Sequence, residues 1–145
     1  MSIYPALRYR DAKAAIAWLK DALGFEEVSV HEADGRVGHA ELTIGGANLS
    51  LSDPYPDFGC AAPSGDLAAV SIILYVPDVD AAVARAEARG ARVVRAIEET
   101  FYGTRRATLL DPFGHRWMIG THVRDVSEPE MKAAADRFAE SGSEG

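Results

Sequence analysis

The chain has 145 residues, of which 48% are hydrophobic, and its formal net charge is −7. This length suits one compact domain, and the apolar fraction is sufficient for a sizeable core. The acidic charge, with no basic stripe to offset it, argues against phosphate-driven binding to nucleic acid. The sequence has no apolar run long enough to span a membrane, no leader-like segment and only one cysteine, Cys60. We therefore expect a cytoplasmic protein without disulfides or membrane association.

Two stretches of the sequence resemble each other. Asp11–Ala17 reads DAKAAIA and Asp78–Ala84 reads DVDAAVA. Each follows a strand-like apolar run, and each leads to a glycine, Gly24 or Gly90. In both copies this pattern predicts a strand, then a helix that begins after the aspartate and ends at the glycine, then further strands.

In chain order, the first half predicts a strand at 3–9, a helix at about 12–23, and strands at 25–32, 36–45 and 47–53. Asp34–Gly35 and Gly45–Gly46 are typical of the hairpin turns between the last three strands. The second half predicts a strand at 69–76, a helix at about 79–89, and strands at 91–98, 104–111 and 115–122. Its last turn reads DPFG, which is typical turn chemistry.

The remaining segments complete the domain organisation. Residues 54–68, rich in proline, glycine and small residues, predict a linker. Ser127 and Glu130 form a capping box for a terminal helix at about 128–140, and the last residues are expected to be disordered. The apolar face of that helix would consist of Met131, Ala134, Ala135 and Phe138. We therefore predict one α+β domain over residues 1–126, made of two βαβββ modules at about 1–53 and 69–122, followed by a helix and tail at 127–145.

The tandem βαβββ pattern, with the segments DPFGHRWMIGTHVRDVS, GHAELTIGGANLSLSD and ALRYRDAKAAIAWLKDALGF, resembles the vicinal oxygen chelate superfamily over residues 3–121. That superfamily includes glyoxalase I, extradiol dioxygenases, fosfomycin-resistance proteins and bleomycin-binding proteins, and the segments look like its PhnB-like branch. The resemblance implies curved half-barrel sheets around a cavity. It also implies a homodimer whose pockets are formed partly by both subunits.

Metal-dependent members of the superfamily place a His or Glu ligand on the first and the fourth strand of each module. At those positions this sequence has Tyr4, Ser50, Ser71 and Met118. A thioether and three hydroxyls do not form a plausible site for a divalent metal, so we expect a pocket with no metal and no cofactor. The nearby pair His39 and Glu41 shares one strand face. A solvated or hydrogen-bonding pair is the interpretation we adopt, with a metal pair as the alternative.

The candidate ligand-binding residues are the four at those positions together with three others, Tyr75, Tyr102 and Arg106. Aromatic walls with a few hydroxyls suit a small organic ligand, although the tyrosines could equally fill the half-barrels. Arg8, Arg105 and Arg106 could pair with an anionic ligand or form structural ion pairs.

Three functional hypotheses follow. The first is a metal-independent small-molecule binding protein of the bleomycin-resistance type that sequesters a ligand or drug. The second is a glyoxalase-like lyase, isomerase or dioxygenase, whose catalytic residues the sequence does not identify. The third is an interaction module that docks a partner through the terminal helix. Function depends on the site and not on the fold, so only the arrangement of these residues can separate the three.

Overall fold

The computed structural model describes residues 1–140, and it contains both predicted modules. The first module consists of β1 (Ala6–Arg8), α1 (Ala12–Trp18), β2 (Glu26–Ala33), β3 (Arg36–Ile44) and β4 (Ala47–Ser52). The second consists of β5 (Ser71–Tyr75), α2 (Val79–Ala88), β6 (Arg92–Glu99), β7 (Thr104–Leu110) and β8 (Arg116–His122). A final helix, α3, spans Glu128–Glu140 as predicted. The disorder predicted for the last residues concerns positions 141–145, which lie outside the described residues.

Each module forms one four-stranded sheet, with strand orders β1-β4-β3-β2 and β5-β8-β7-β6. The first and last strands of a module pair in parallel, and the other neighbours pair antiparallel. The helix after the first strand supplies the crossover that this parallel pairing needs. The predicted α+β fold with tandem βαβββ modules is therefore confirmed.

The helix ends form where the repeated aspartate and glycine predict them. The side chains of Asp11 and Asp78 accept hydrogen bonds from the backbone N–H groups of Ala14 and Ala81, at 3.1 and 3.2 Å. The first helix continues beyond α1 as a π-helical turn, Leu19–Leu23, and ends at Gly24, whose φ is +84°. The predicted extent of this helix is confirmed, but its wider last turn was not expected from the sequence.

The first strand is shorter than predicted. The sequence indicated a strand over 3–9, whereas β1 spans only Ala6–Arg8 and Tyr4 lies before it with 47% of its surface exposed. Pro5 has no N–H group and cannot donate to a strand ladder, which explains why regular pairing begins after it.

The two modules share one core through their helices. The indole N–H of Trp18 donates to the carbonyl of Arg89 at 2.9 Å, and Arg85 Nε donates to the carbonyl of Ala22 at 2.9 Å. Phe25 meets Trp117 edge-on, with ring centroids 6.0 Å apart. The helices thus cover one face of each sheet.

The face of each sheet that lies opposite the helices is called its open face below. In β8, Trp117 and Ile119 are fully buried in the core, so the side chain of Met118 between them lies on the open face. On the edge strand β5, Ile73 and Tyr75 also lie on the open face, and they are 62% and 58% exposed. The open face of the second sheet is therefore an accessible surface with apolar side chains.

The linker contains a short 3₁₀ turn, Pro56–Phe58, and a bridge between Tyr55 and Cys60. Within residues 1–140, none of the helices combines the length and the apolar character required to cross a bilayer.

Candidate functional site

A cavity of about 200 Å³ lies on the open face of the second sheet. We call it the sheet cavity. It is lined by Ile73, Tyr75, Tyr102, Thr104, Arg106, Met118, Ile119 and Gly120. Four of the seven predicted ligand-binding residues, Tyr75, Tyr102, Arg106 and Met118, therefore come together here. Most of the lining is aromatic or aliphatic, with a few polar groups, as is usual for small-molecule sites.

Strand register explains how residues distant in sequence meet in this cavity. Tyr75 pairs with Gly120, and Gly120 pairs with Arg106 on the next strand. Ile73 pairs with Met118 in the same way. Gly120 also leaves the base of the cavity without a side chain. A Cβ atom at this position would lie only 2.9 Å from Cγ2 of Thr104. The cavity is thus built from three neighbouring strands and the loop that carries Tyr102.

Two adjacent arginines on β7 have different environments. Arg105 donates two hydrogen bonds of 2.9 Å to the carboxylate of Asp80 on α2. These bonds hold the pKa of the Asp80 carboxyl below its ordinary value and raise the pKa of Arg105. Arg106 points to the opposite face, where its guanidinium lies 5.6 Å from the ring centroid of Tyr102. Within residues 1–140, Arg106 has no ion pair and no side-chain hydrogen bond.

A second, larger cavity of about 410 Å³ adjoins the first. We call it the helix cavity, because Phe138 of α3 forms part of its wall. It is lined by Arg95, Glu98, Glu99, Thr100, Phe101, Tyr102, Arg106 and Phe138. The Phe101 ring lies 5.7 Å from that of Phe138 and 5.2 Å from that of Tyr102. The two cavities share Tyr102 and Arg106, so one ligand can contact both.

Three predicted ligand residues lie outside both cavities. Tyr4 precedes β1, Ser50 lies on the open face of the first sheet, and Ser71 pairs with Arg116 at the start of β5. Ser50 is only 6% exposed, and its hydroxyl lies 3.4 Å from Nδ1 of His39. Two of these three residues belong to the first module, and Ser71 belongs to the second. The sequence could not indicate that the two modules direct their open faces away from their shared core.

The side chains at the four metal positions of the superfamily do not fit a divalent metal. Tyr4, Ser50, Ser71 and Met118 offer no carboxylate or imidazole, and within residues 1–140 no group of three or more His, Cys, Asp or Glu side chains could hold a metal ion. The alternative metal pair, His39 and Glu41, therefore has no third His, Cys, Asp or Glu side chain within residues 1–140 with which to hold a metal ion. His39 instead stacks on His31 across the strands, with ring centroids 6.2 Å apart.

Arg8 lies in a separate and more open cleft of about 470 Å³ between β1, the linker and the DPFG turn. Its Nε is the one buried side-chain N or O atom that has no hydrogen-bond partner within residues 1–140. His115 in the same cleft bonds through its ring Nε2 to the backbone carbonyl of Arg8 at 2.7 Å and so ties the DPFG turn to β1. Arg8 thus does not contribute to the sheet cavity or the helix cavity.

Thr104 is a lining residue that the sequence interpretation missed. Its position could have been derived from strand alternation, since Thr104 and Arg106 are two residues apart on β7 and therefore share a face. The contribution of Phe138 had no comparable signal. The apolar spacing of α3 predicts a packing face, but nothing in the sequence says that this face meets the loop carrying Phe101.

A scan against family models matches residues 3–119 to the Glyoxalase/Bleomycin resistance protein/Dioxygenase superfamily. Over 139 residues the chain is 37% identical to an uncharacterized protein of Mycobacterium bovis, a match that covers 92% of this chain and 91% of that protein. An uncharacterized protein of Mycobacterium tuberculosis is also 37% identical, with 81% of its length covered.

Solved structures show the same fold. TioX from Micromonospora sp. ML1 is 28% identical and superposes with a TM-score of 0.66, covering 85% of this chain and 99% of TioX. The PhnB protein from Bacillus cereus is 18% identical, with a TM-score of 0.64 and coverage of 83% of this chain and 99% of PhnB. At this level of identity, the second likeness concerns the fold alone.

Proposed function

The chain belongs to the Glyoxalase/Bleomycin resistance protein/Dioxygenase superfamily, and from this premise we propose that it is a metal-independent small-molecule binding protein. Its ligand would occupy the sheet cavity and extend into the helix cavity. Ligand or drug sequestration is the biological role that such a protein would perform.

One observation carries the proposal. The sheet cavity combines apolar and aromatic walls from Ile73, Tyr75 and Met118 with a single charged group, Arg106. Met118 occupies the fourth-strand position at which metal-dependent relatives would carry a ligand, and its thioether instead gives a soft, adaptable wall. A cavity of this composition is suited to holding an organic molecule.

The direct test is a screen of drug-like and aromatic compounds by thermal shift, with calorimetry for each hit. We expect at least one compound to bind more tightly than about 100 µM, which is a modest affinity for a preformed pocket. Met118→Trp should abolish binding because the larger ring fills the sheet cavity. Met131→Trp on α3, outside the lining of both cavities, is the matched control and should bind normally. If no compound binds better than millimolar, the proposal fails.

Metal retention tests the metal-independent part of the proposal. Untagged protein would be incubated with Mn²⁺, Fe²⁺, Ni²⁺ or Zn²⁺, desalted, and assayed by elemental analysis. We expect far less than one metal per chain, and ligand affinities that EDTA does not change. Near-stoichiometric metal that is lost in His39→Ala or Glu41→Ala would contradict this and would favour the enzyme hypothesis.

We also propose that the chain forms a homodimer in the cytoplasm and that it belongs to the PhnB-like branch. The dimer is supported by the exposed apolar residues Ile73 and Tyr75 on the open face of the second sheet, which a second copy could cover. The branch is supported by the DPFGHRWMIG segment. The fold-level likeness to the PhnB protein is consistent with that branch.

A further inference from the structure

The charges around the two cavities point to the chemistry of the ligand. In the helix cavity, Arg95 forms an ion pair with Glu98 at 3.4 Å. Glu99 pairs in register with Arg105 and helps to raise its pKa. Arg95 and Glu98 thus compensate one another, whereas Arg105 is ion-paired with Asp80 on the opposite face of the sheet.

Arg106 pairs in register with Glu98 on the neighbouring strand, but the Glu98 carboxylate is ion-paired with Arg95, and Arg106 forms no ion pair within residues 1–140. It is the only charged side chain that lines the sheet cavity, and it lies at the boundary with the helix cavity. It is half-buried against the Tyr102 ring and has no carboxylate within ion-pairing distance in residues 1–140. A partly desolvated guanidinium in this setting favours an anionic partner, above all a carboxylate that accepts two parallel hydrogen bonds.

The surroundings of Arg106 also indicate what should be attached to that anion. Phe101, Tyr102 and Phe138 form a cluster of rings in contact on one side of the helix cavity. Aromatic rings attract other rings in edge-to-face or offset arrangements, which adds to the burial of apolar area. The cavity of about 410 Å³ is large enough for a bicyclic ring system.

We propose that the ligand is a small aromatic carboxylate. Its ring system occupies the helix cavity against Phe101, Tyr102 and Phe138, and its carboxylate accepts hydrogen bonds from the Arg106 guanidinium. This inference rests on the proposed binding function and specifies its ligand class. It makes Arg106 the residue that determines charge preference, and it makes α3 a part of the binding site.

Three probes of nearly equal shape test the charge preference in the full chain: naphthalene-2-carboxylate, the neutral naphthalene-2-carboxamide and the cationic 2-naphthylmethylammonium. Isothermal titration calorimetry at low salt should give a dissociation constant for the carboxylate at least about tenfold below that of the amide, because a charge-assisted hydrogen bond is lost in the amide complex. The cation should bind most weakly.

Two arginine variants locate the effect. Arg106→Gln should bring the carboxylate-to-amide ratio close to one. Arg105→Gln changes the neighbouring residue on the opposite sheet face and should leave the ratio unchanged. Phe138→Ala should weaken the acid and the amide alike, because it removes part of the ring wall without touching the charge. Circular dichroism would establish that each variant is folded before its ratio is compared with that of the wild type.

The outcomes distinguish this inference from the function on which it rests. If the amide and the acid bind the wild type equally, the cavity binds small molecules but the anion preference is wrong. If Arg106→Gln retains the preference, the assignment of Arg106 is wrong. If none of the three probes binds while the compound screen yields other ligands, the aromatic-carboxylate class is wrong and the binding function stands. If the screen also yields none, both proposals fail.

Discussion

At the scale of single residues, Tyr9 and Asp111 form the most buried polar contact between the modules. The Tyr9 hydroxyl donates to the Asp111 carboxylate at 2.7 Å, and the indole N–H of Trp117 donates to the same oxygen at 3.0 Å. Backbone N–H groups of Phe113 and His115 satisfy the other oxygen, at 2.9 and 3.0 Å. Asp111 is only 4% exposed, so these hydrogen-bond donors offset the free-energy cost of removing its carboxylate from water.

Tyr9→Phe should lower the free energy of unfolding by about 1–3 kcal/mol, because it removes a hydrogen bond to a buried charged acceptor. Urea denaturation at neutral pH measures this loss. Tyr55→Phe is the matched control. Its ring stacks on Arg36 in the linker region, so we expect a change within about 0.5 kcal/mol. Equal losses in the two variants would contradict the role assigned to Tyr9.

The same residue predicts a pH dependence. Burial, followed by the nearby charge of Asp111, raises the pKa of Tyr9 well above its ordinary value. In the unfolded chain tyrosine ionises near pH 10, whereas in the folded chain it stays neutral to higher pH. The contribution of neutral Tyr9 to the free energy of unfolding is therefore fully present below about pH 10 and is lost as the pH rises through the raised pKa of Tyr9 in the folded chain. Wild type should lose more stability than Tyr9→Phe between about pH 8 and pH 11. Parallel curves would show that Tyr9 is not responsible.

The limits of sequence reasoning at this scale are clear from Arg105 and Arg106. Strand alternation predicts that two consecutive residues on β7 face opposite ways. It cannot say which one meets an acidic partner, because Asp80 belongs to a helix 25 residues earlier. Of the two alternatives that the sequence left open, a structural ion pair is found for Arg105 and not for Arg106. The arginine that matters for the proposed site was thus a candidate from sequence but could not be singled out.

At the scale of elements, α3 is the helix whose removal should reduce the stability of the fold least. None of its residues is fully buried, and its half-buried positions are Met131, Ala134 and Phe138. A chain that ends at Val126 should therefore fold with a melting temperature within a few degrees of the full chain, since only partly exposed contacts are lost. Thermal denaturation checks this, and loss of cooperative unfolding would contradict it.

The loop between β6 and β7 depends on Gly103. Its φ is +85°, and a Cβ atom would lie 2.1 Å from the carbonyl oxygen of Arg124. Gly103→Ala should therefore destabilise the chain by more than about 3 kcal/mol and displace Tyr102, because the backbone itself must move. Gly35→Ala is the control with a similar φ of +74° but open space around the Cβ, so only the conformational cost of about 1 kcal/mol should appear. Equal effects in chemical denaturation would overturn the steric argument.

Element boundaries were predictable where one local rule decides them. The aspartate caps, the glycine ends and the hairpin glycines each fix a boundary within the chain itself. The π-helical turn Leu19–Leu23 had no such local signal. It lies where the first helix packs on the second module, and Arg85 of α2 bonds to the carbonyl of Ala22 within it. The change from α-helical to π-helical geometry thus coincides with a contact between the two modules.

At the scale of the whole molecule, the internal repeat made the fold predictable, because two copies of one pattern give two equivalent modules. The repeat does not predict equivalent sites. Met118 of the second module and Ser50 of the first occupy matching strand positions. Met118 lines an apolar cavity with an aromatic rim, whereas Ser50 lines neither the sheet cavity nor the helix cavity. The difference comes from the loop carrying Tyr102, which is four residues long where the first module has the two-residue turn Asp34–Gly35, and from α3, which follows the second module.

The same difference between the two sheets supports the proposed dimer. The open face of the second sheet carries Ile73 and Tyr75, both more than half exposed, whereas the matching positions of the first sheet carry Ala6 and Arg8. Exposed apolar residues clustered on one face usually mark an association surface. Light scattering after size exclusion should give twice the chain mass of 15.5 kDa.

Ile73→Asp should shift that mass toward the monomer, because a carboxylate would be buried in the interface without a partner. Val28→Asp is the control. Val28 is 57% exposed and lies on β2, the edge strand of the first sheet farthest from β1. If the wild type is monomeric at about 50 µM, a concentration at which obligate dimers persist, the dimer proposal fails. Because Ile73 and Tyr75 also line the sheet cavity, a monomeric wild type that still binds a ligand in the compound screen would leave the binding proposal standing.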